Sequence, residues 1–158
     1  MRYLLSIIIS LSILNINVKA DSWSTAGNII TGRNQHTTTL LNDGSLLIVG
    51  GKSSNSSDQT TVGSERYNPE TGNSILTSPN IHNRKEHRST KLLDGRVLVT
   101  GGEYFFYNPS KNSEITNSVE IYNPEEDSWT ELAPMRVGRS SHSAILLADG
   151  NVLIIGGT

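Results

Sequence analysis

RKEHRSTKLLDGRVLVTGG, residues Arg84–Gly102, decides the fold. It opens on Arg-x-x-His, runs through an apolar stretch to Asp-Gly, and closes a second apolar stretch with Gly-Gly. The same frame stands at Arg33–Gly51 (RNQHTTTLLNDGSLLIVGG) and at Arg139–Gly157 (RSSHSAILLADGNVLIIGG). In every copy His follows Arg by 3 residues, Asp by 10 and the first Gly by 17. Successive Gly pairs are 51 and 55 residues apart.

Asp-Gly between two apolar runs predicts a hairpin: His36–Leu41 turns at Asp43-Gly44 into Leu46–Val49, and the other copies follow suit. The return strands, Leu46–Val49, Val97–Val99 and Val152–Ile155, are continuous apolar runs, which predicts burial on both faces. A third strand follows each of the first two hairpins, Ser64–Pro69 and Val119–Pro124, both reading Glu-x-Tyr-Asn-Pro. Pro offers no N–H to a ladder, so Asn-Pro ends the strand in a turn. A fourth strand is expected around Trp129, within Asp127–Leu132. A period near fifty with Gly-Gly closing an apolar strand is the signature of propeller blades, and propellers host many unrelated activities.

These residues resemble the Kelch repeat: a tract ending in Gly-Gly, then Glu-x-Tyr-Asn-Pro, then Trp at a fixed spacing. The resemblance takes in nearly all of residues 21–158 and implies an all-β, Kelch-type β-propeller. The repeat positions are Arg33, His36, Gly50, Gly51 and Tyr67 in the first copy. Arg84, His87, Gly101, Gly102, Tyr122 and Trp129 fill them in the second, and Arg139, His142, Gly156 and Gly157 in the third. The place of Trp129 is held by Ser74 in the first copy, so that blade should pack less well at its outer edge. Two four-stranded blades are expected, over residues 33–78 and 84–133, with part of a third over 139–158. Trp23 stands ten residues before Arg33, as Trp129 does before Arg139, and reads as an outer strand. Closed propellers use about 4–8 blades, so the expected propeller is incomplete. Flat apolar faces at its ends would favour self-association.

Composition sets further bounds. The 158 residues carry a net charge of −2 and no cysteine. That balance points away from nucleic acid as a partner. Met1–Ala20 has the form of a secretory signal peptide: a cationic start, an apolar run over Leu4–Leu14, then small residues before Asp21. The run is too short for a stable membrane span of about 20 residues. Removing Arg2 and Lys19 from 13 basic residues leaves 11 against 15 acidic, a net charge of −4. An extracellular chain is therefore expected, and Asn55-Ser56-Ser57 offers a glycosylation sequon.

Candidate chemistry is sparse. His36, His87 and His142 could be read as a metal site, but they recur in three different blades and are expected to make local hydrogen bonds at each strand entry. The Gly pairs lack the helix start of a phosphate loop and are structural. Asp43, Asp94 and Asp149 recur at hairpin turns, where Asp stabilises the turn. Glu65 and Glu120 also recur and are expected to pair with the repeated Arg side chains. No residue is assigned a catalytic role, and no metal or cofactor is expected. What breaks the repeat is the better candidate. Lys52–Gly63 is polar, whereas Glu103–Asn117 holds Tyr104, Phe105, Phe106 and Tyr107, four of the chain's nine aromatics. They make either a binding surface or a strand extension packed in the blade.

Strand alternation puts these two loops on one face with Ser24–Gly32, Ile75–Asn83 and Thr130–Gly138, and the Asp-Gly turns on the other. By resemblance, many Kelch proteins bind partners through the first face. The sequence thus reads as a secreted, non-catalytic binding module for a protein or a glycan. Two alternatives are a piece of a galactose oxidase-like copper oxidase, whose cross-linked Cys this chain lacks, and a truncated gene product.

Overall fold

A computed structural model describes residues 26–53, 63–104 and 114–158. The signal-peptide reading of residues 1–20, Trp23, Asn55 and Phe105–Tyr107 lie outside them. The described residues form 14 strands, and no helix occurs among them.

Strands β1 (Arg33–Asn34), β2 (Thr37–Leu40), β3 (Leu46–Val49), β4 (Lys52–Ser53), β5 (Glu65–Asn68) and β6 (Asn73–Leu76) build the first unit. The second comprises β7 (Arg88–Lys91), β8 (Val97–Thr100), β9 (Glu103–Tyr104), β10 (Glu114–Ile115), β11 (Val119–Asn123) and β12 (Ser128–Leu132). A hairpin of β13 (Ser143–Leu146) and β14 (Val152–Ile155) follows. Each unit is built on an antiparallel four-stranded sheet, ordered β2-β3-β5-β6 and β7-β8-β11-β12, while β1 with β4 and β9 with β10 form separate two-stranded pairs. The two four-stranded sheets are successive propeller blades. The innermost strands β2, β7 and β13 stand side by side.

Each Asp-Gly turn forms for the expected reason. Asp43 Oδ1 accepts from Ser45 N at 3.0 Å, and Asp94 and Asp149 accept from the backbone of Arg96 and Asn151 at 3.1 and 3.0 Å. Gly44, Gly95 and Gly150 take positive φ of 83°, 89° and 86°, which a Cβ would oppose.

The core lies between the blades. Leu41, Leu47, Val49, Val97, Val99 and Tyr122 are buried together, with Trp129 packed against them. The return strands β3 and β8 are buried on both faces as the apolar runs predict. The third copy differs: Leu153 and Ile155 of β14 are 45% and 50% exposed. Among the described residues β14 pairs only with β13. An apolar run is buried on both faces only when strands and blades flank it.

Registers locate the outer anchor. Tyr122 faces Trp129 across β11 and β12, and Tyr67 faces Ser74 across β5 and β6. The Tyr122 and Trp129 rings lie 5.0 Å apart. The Tyr122 hydroxyl donates to Asp127 Oδ1 at 2.8 Å, and burial together with that carboxylate pushes its pKa up. Tyr67 has a buried hydroxyl without a hydrogen-bond partner, as has Ser74, and Ile75 and Leu76 beside Ser74 are exposed. The first blade is the looser one at its rim, as Ser74 implies.

Candidate functional site

The repeated polar residues meet inside the blades. Arg84 and Glu120 form an ion pair in which both side chains are withdrawn from solvent. Arg84 Nη1 donates to Gly101 O at 2.8 Å and Ser118 O at 3.2 Å, and Nη2 donates to Ser118 Oγ at 2.7 Å. Glu120 Oε2 accepts from Ile81 N at 2.8 Å, and Oε1 from His82 N at 3.1 Å. The first blade repeats this with Arg33 and Glu65: Arg33 Nη1 reaches Gly50 O at 2.9 Å, and Ile30 N donates to Glu65 Oε2 at 2.7 Å. A buried ion pair survives only with its remaining donors and acceptors satisfied, and here backbone groups satisfy them. The expectation that Glu65 and Glu120 pair with the repeated Arg side chains therefore holds. These carboxylates fasten the loop entering each blade to its third strand.

His87 and His142 work between blades rather than locally, whereas His36 is exposed and makes the expected local bond, to the backbone of Arg33. His87 Nε2 meets Thr37 Oγ1 of the first blade at 2.8 Å, and His142 Nε2 meets Thr100 Oγ1 of the second at 2.8 Å. Burial is the main cause holding both pKa values down, His142 to about 4, with nearby Arg charges adding to it: Arg84 and Arg88 for His87, Arg88 and Arg139 for His142. Both rings are neutral at pH 7.

The Gly pairs lie at the same junction. Gly51 N donates to Arg84 O at 2.8 Å, and Gly102 N to Arg139 O at 2.9 Å. A Cβ on Gly50 would stand 2.1 Å from Arg84 O and 2.9 Å from His87 Cε1. One on Gly101 would stand 2.3 Å from Arg139 O. Gly-Gly is therefore where the next blade's Arg-x-x-His docks, beyond its use at the strand exit.

One further feature escaped the sequence reading. The residue before each His, Gln35, Glu86 and Ser141, has φ of 56°, 54° and 53°. Glu86 N donates to Gln35 O at 3.1 Å and Ser141 N to Glu86 O at 2.9 Å, a hydrogen-bonded run from blade to blade. These side chains vary in type, so no single-residue motif marks them.

Two faces remain. The turn face has a cleft of about 410 Å³ between the blades, lined by Asp43, Arg66, Asp94 and Arg96 among others. Its guanidiniums are already engaged: Arg66 pairs with Asp43 and reaches Pro124 O at 3.2 Å, and Arg96 pairs with Asp94 at 2.7 Å. On the opposite face, Asn117 O accepts from Met135 N at 2.8 Å, and Asn117 Nδ2 donates to Met135 O at 3.0 Å. The loop after Gly-Gly and the loop after the Trp strand thus share this face.

The second Gly-Gly loop begins as a strand pair, with Tyr104 opposite Glu114 and Glu103 opposite Ile115. For Tyr104, strand extension is the observed state. Its hydroxyl joins Ser118 Oγ at 2.8 Å and accepts from Thr116 Oγ1 at 3.0 Å. Its ring lies 5.3 Å from that of His82, and the Arg84 guanidinium is 5.9 Å from its centroid.

Fold and site together define a class, an all-β array of propeller blades whose polar repeat residues are spent on internal and inter-blade bonds. Residues 92–136, most of the second blade, match the family model for the Kelch motif. The chain is 30% identical over 152 residues to Kelch-like protein 15 of Danio rerio, covering 89% of this chain and 25% of that protein. It is 36% identical over 73 residues to alpha-scruin of Limulus polyphemus, 46% of this chain and 7% of that protein. Over 99 residues it is 31% identical to the Influenza virus NS1A-binding protein homolog B of Danio rerio, 53% of this chain and 14% of that protein. The chain belongs to the Kelch-repeat family, and it spans about a quarter or less of the length of these curated relatives.

Proposed function

We propose that this chain is a secreted, non-catalytic Kelch-repeat module that binds a protein partner through the loop face. One observation carries the reading. Arg33, Glu65, Arg84 and Glu120 are engaged within the blades, and His87, His142 and the first two Gly pairs between them, so recognition falls to residues that break the repeat. The largest break is the β9–β10 hairpin with Phe105, Phe106 and Tyr107 between its strands in sequence. Aromatic anchors of this kind commonly dominate binding energy. Tyr104 serves as the base of that hairpin, since its hydroxyl and ring are already engaged.

Secretion rests on Met1–Ala20, and it would make the sequon at Asn55 a glycan acceptor. Expression in a secretory host should release a chain beginning at Asp21, with glycan on Asn55. Retention of an intact N-terminus in the cell would contradict it.

The binding reading is tested by crosslinking the full chain to secreted proteins of its source cells. The affinity of the recovered partner is then measured. Replacing Phe105 and Phe106 by Ser should weaken binding at least about tenfold with the β-sheet circular dichroism unchanged, and Arg96→Ala on the turn face should not weaken it. The reverse pattern would move the site to the turn face. A glycan partner would appear as binding abolished by deglycosylating the captured protein.

A second association is supported by the exposed Ile145, Leu153 and Ile155 of the β13–β14 hairpin. It would join copies of the chain, and a monomer in sedimentation at micromolar concentration would exclude it.

A further inference from the structure

Blade two departs from blade one at four positions that folding gathers at one place. Thr31, Ser53, Gly63 and Leu76 of the first blade have His82, Tyr104, Ser118 and Glu131 as their counterparts in the second. Glu131 faces Glu120 across β11 and β12, as Leu76 faces Glu65 in the first blade. His82 Nε2 lies 3.2 Å from Glu131 Oε1, and its ring packs against Tyr104. Tyr104 is fixed by Ser118 and Thr116, and the His82 backbone is fixed by Glu120. These unrepeated side chains therefore rest on the buried Arg84–Glu120 pair and are held in place before any partner arrives.

Large aliphatic side chains stand exposed around them. Ile81, beside His82, is 46% exposed, and Ile115, beside Tyr104's strand partner Glu114, is 42% exposed. Val137 is 62% exposed and precedes Gly138, where a Cβ would come within 3.2 Å of Ile115 O. Exposed large apolar side chains grouped around a fixed aromatic ring are the kind of surface that marks interaction sites. Carboxylates flank it: Glu131 has a side chain 55% exposed, and Glu114 is exposed. Arg136, also exposed, stands beside Val137.

The geometry points to Ile81, His82, Tyr104, Ile115, Glu131 and Val137 as a subsite for a protein segment that presents a bulky apolar side chain next to Lys or Arg. The inference rests on the loop-face reading above and adds the chemistry of the partner. The apolar side chain packs on Ile81, Ile115 and Val137 around the Tyr104 ring. The cation shares the Glu131 carboxylate with His82. An acidic residue in its place meets Glu131 and Glu114 and is repelled, which is how charge sets specificity at an interface.

Four labelled peptides of equal length test this on the full chain by fluorescence polarisation. Each carries Leu-Lys, Leu-Glu, Ser-Lys or Ser-Glu at the centre of a neutral Gly/Ser sequence. Leu-Lys should bind tightest, by about tenfold over Leu-Glu and Ser-Lys. Glu131→Gln should erase the preference for Lys over Glu. Ile81→Ser combined with Val137→Ser should erase the preference for Leu over Ser. All three residues are solvent-exposed, so circular dichroism should stay unchanged in both variants. Equal binding of the four peptides, no binding up to about a millimolar, or preferences that survive both variants would overturn the subsite. If a protein partner still depends on Phe105 and Phe106 in that event, the loop-face reading stands without it. If loop-face substitutions alter neither peptide nor partner binding, both readings fall.

Discussion

The second blade and the β13–β14 hairpin start from the same Arg-x-x-His…Asp-Gly…Gly-Gly frame and end in different physical states. In the second blade Arg84 is buried against Glu120. In the hairpin Arg139 donates to Gly156 O at 2.6 Å, its Nε lacks a partner, and no carboxylate equivalent to Glu120 meets it among the described residues. Gly101 lies under Arg139 O and the His142 ring, whereas a Cβ on Gly156 would meet nothing within 4 Å. The frame thus supplies half of each contact. Its energetic value depends on the third strand and the next blade supplying the other half.

The largest expected effect tests that dependence directly. Arg84→Ala leaves Glu120 buried and uncompensated and should cost about 3–5 kcal/mol. Arg139→Ala should cost about 1 kcal/mol or less, the value of a single hydrogen bond. Urea unfolding of both variants compares them, and equal losses would break the distinction.

A Cβ at Gly50 or Gly101 meets backbone oxygen at 2.1 or 2.3 Å as well as an unfavourable φ of 58° at both. Gly50→Ala or Gly101→Ala should cost about 3 kcal/mol, combining overpacking with the left-handed penalty. Gly156→Ala meets only the φ penalty and should cost about 1–2 kcal/mol. Equal midpoints in denaturant for Gly101→Ala and Gly156→Ala would show that packing of the next blade adds nothing.

The two full blades sharpen the comparison at their rims. Trp129→Ser should destabilise by about 2–3 kcal/mol through lost packing against Tyr122. Ser74→Trp opposite Tyr67 should stabilise by up to about 1 kcal/mol if the first blade lacks only that partner. A destabilised Ser74→Trp variant would mean that the first blade has closed over the gap.

A further contrast, between buried histidines and exposed turn carboxylates, is electrostatic. Unfolded His87 and His142 titrate near 6.5, whereas burial holds both lower when folded, His142 at about 4. As pH falls from 6.5 toward 4, the unfolded chain takes up protons that the folded chain refuses. Stability should fall across that window, by up to about 1.4 kcal/mol per pH unit for each histidine, and level off above it. Asp43, Asp94 and Asp149 have pKa values held below 3.8, so their contribution is lost only at lower pH. Urea unfolding at successive pH values reads the slope, and His142→Gln should flatten it. A slope unchanged by that substitution would remove His142 from the account.

Much of this was open to reading in the chain itself, because strand repeats write themselves as fixed spacings. Arg33, Arg84 and Arg139, the Asp-Gly turns, the Gly pairs and the Tyr-to-Trp register all follow from the intervals between residues. So do the two sheets and the hairpin, since each hairpin is local and its turn chemistry is local. Ser74 in the place of Trp129 was likewise legible as a gap at the rim.

Tertiary structure alone decided what crosses from one blade to the next. His87 bonds Thr37 and His142 bonds Thr100, partners about one repeat away, and no local pattern links them. The same holds for the gathering of His82, Tyr104 and Glu131. His82 lies in a loop outside the repeated frame, Tyr104 opens a hairpin and Glu131 sits on an outer strand. Spacing determines which residues pair within a blade, because hydrogen-bond register is set along the chain. Which side chains meet between blades depends on how the sheets stack, and that is fixed by packing of the Leu47, Val97 and Tyr122 core.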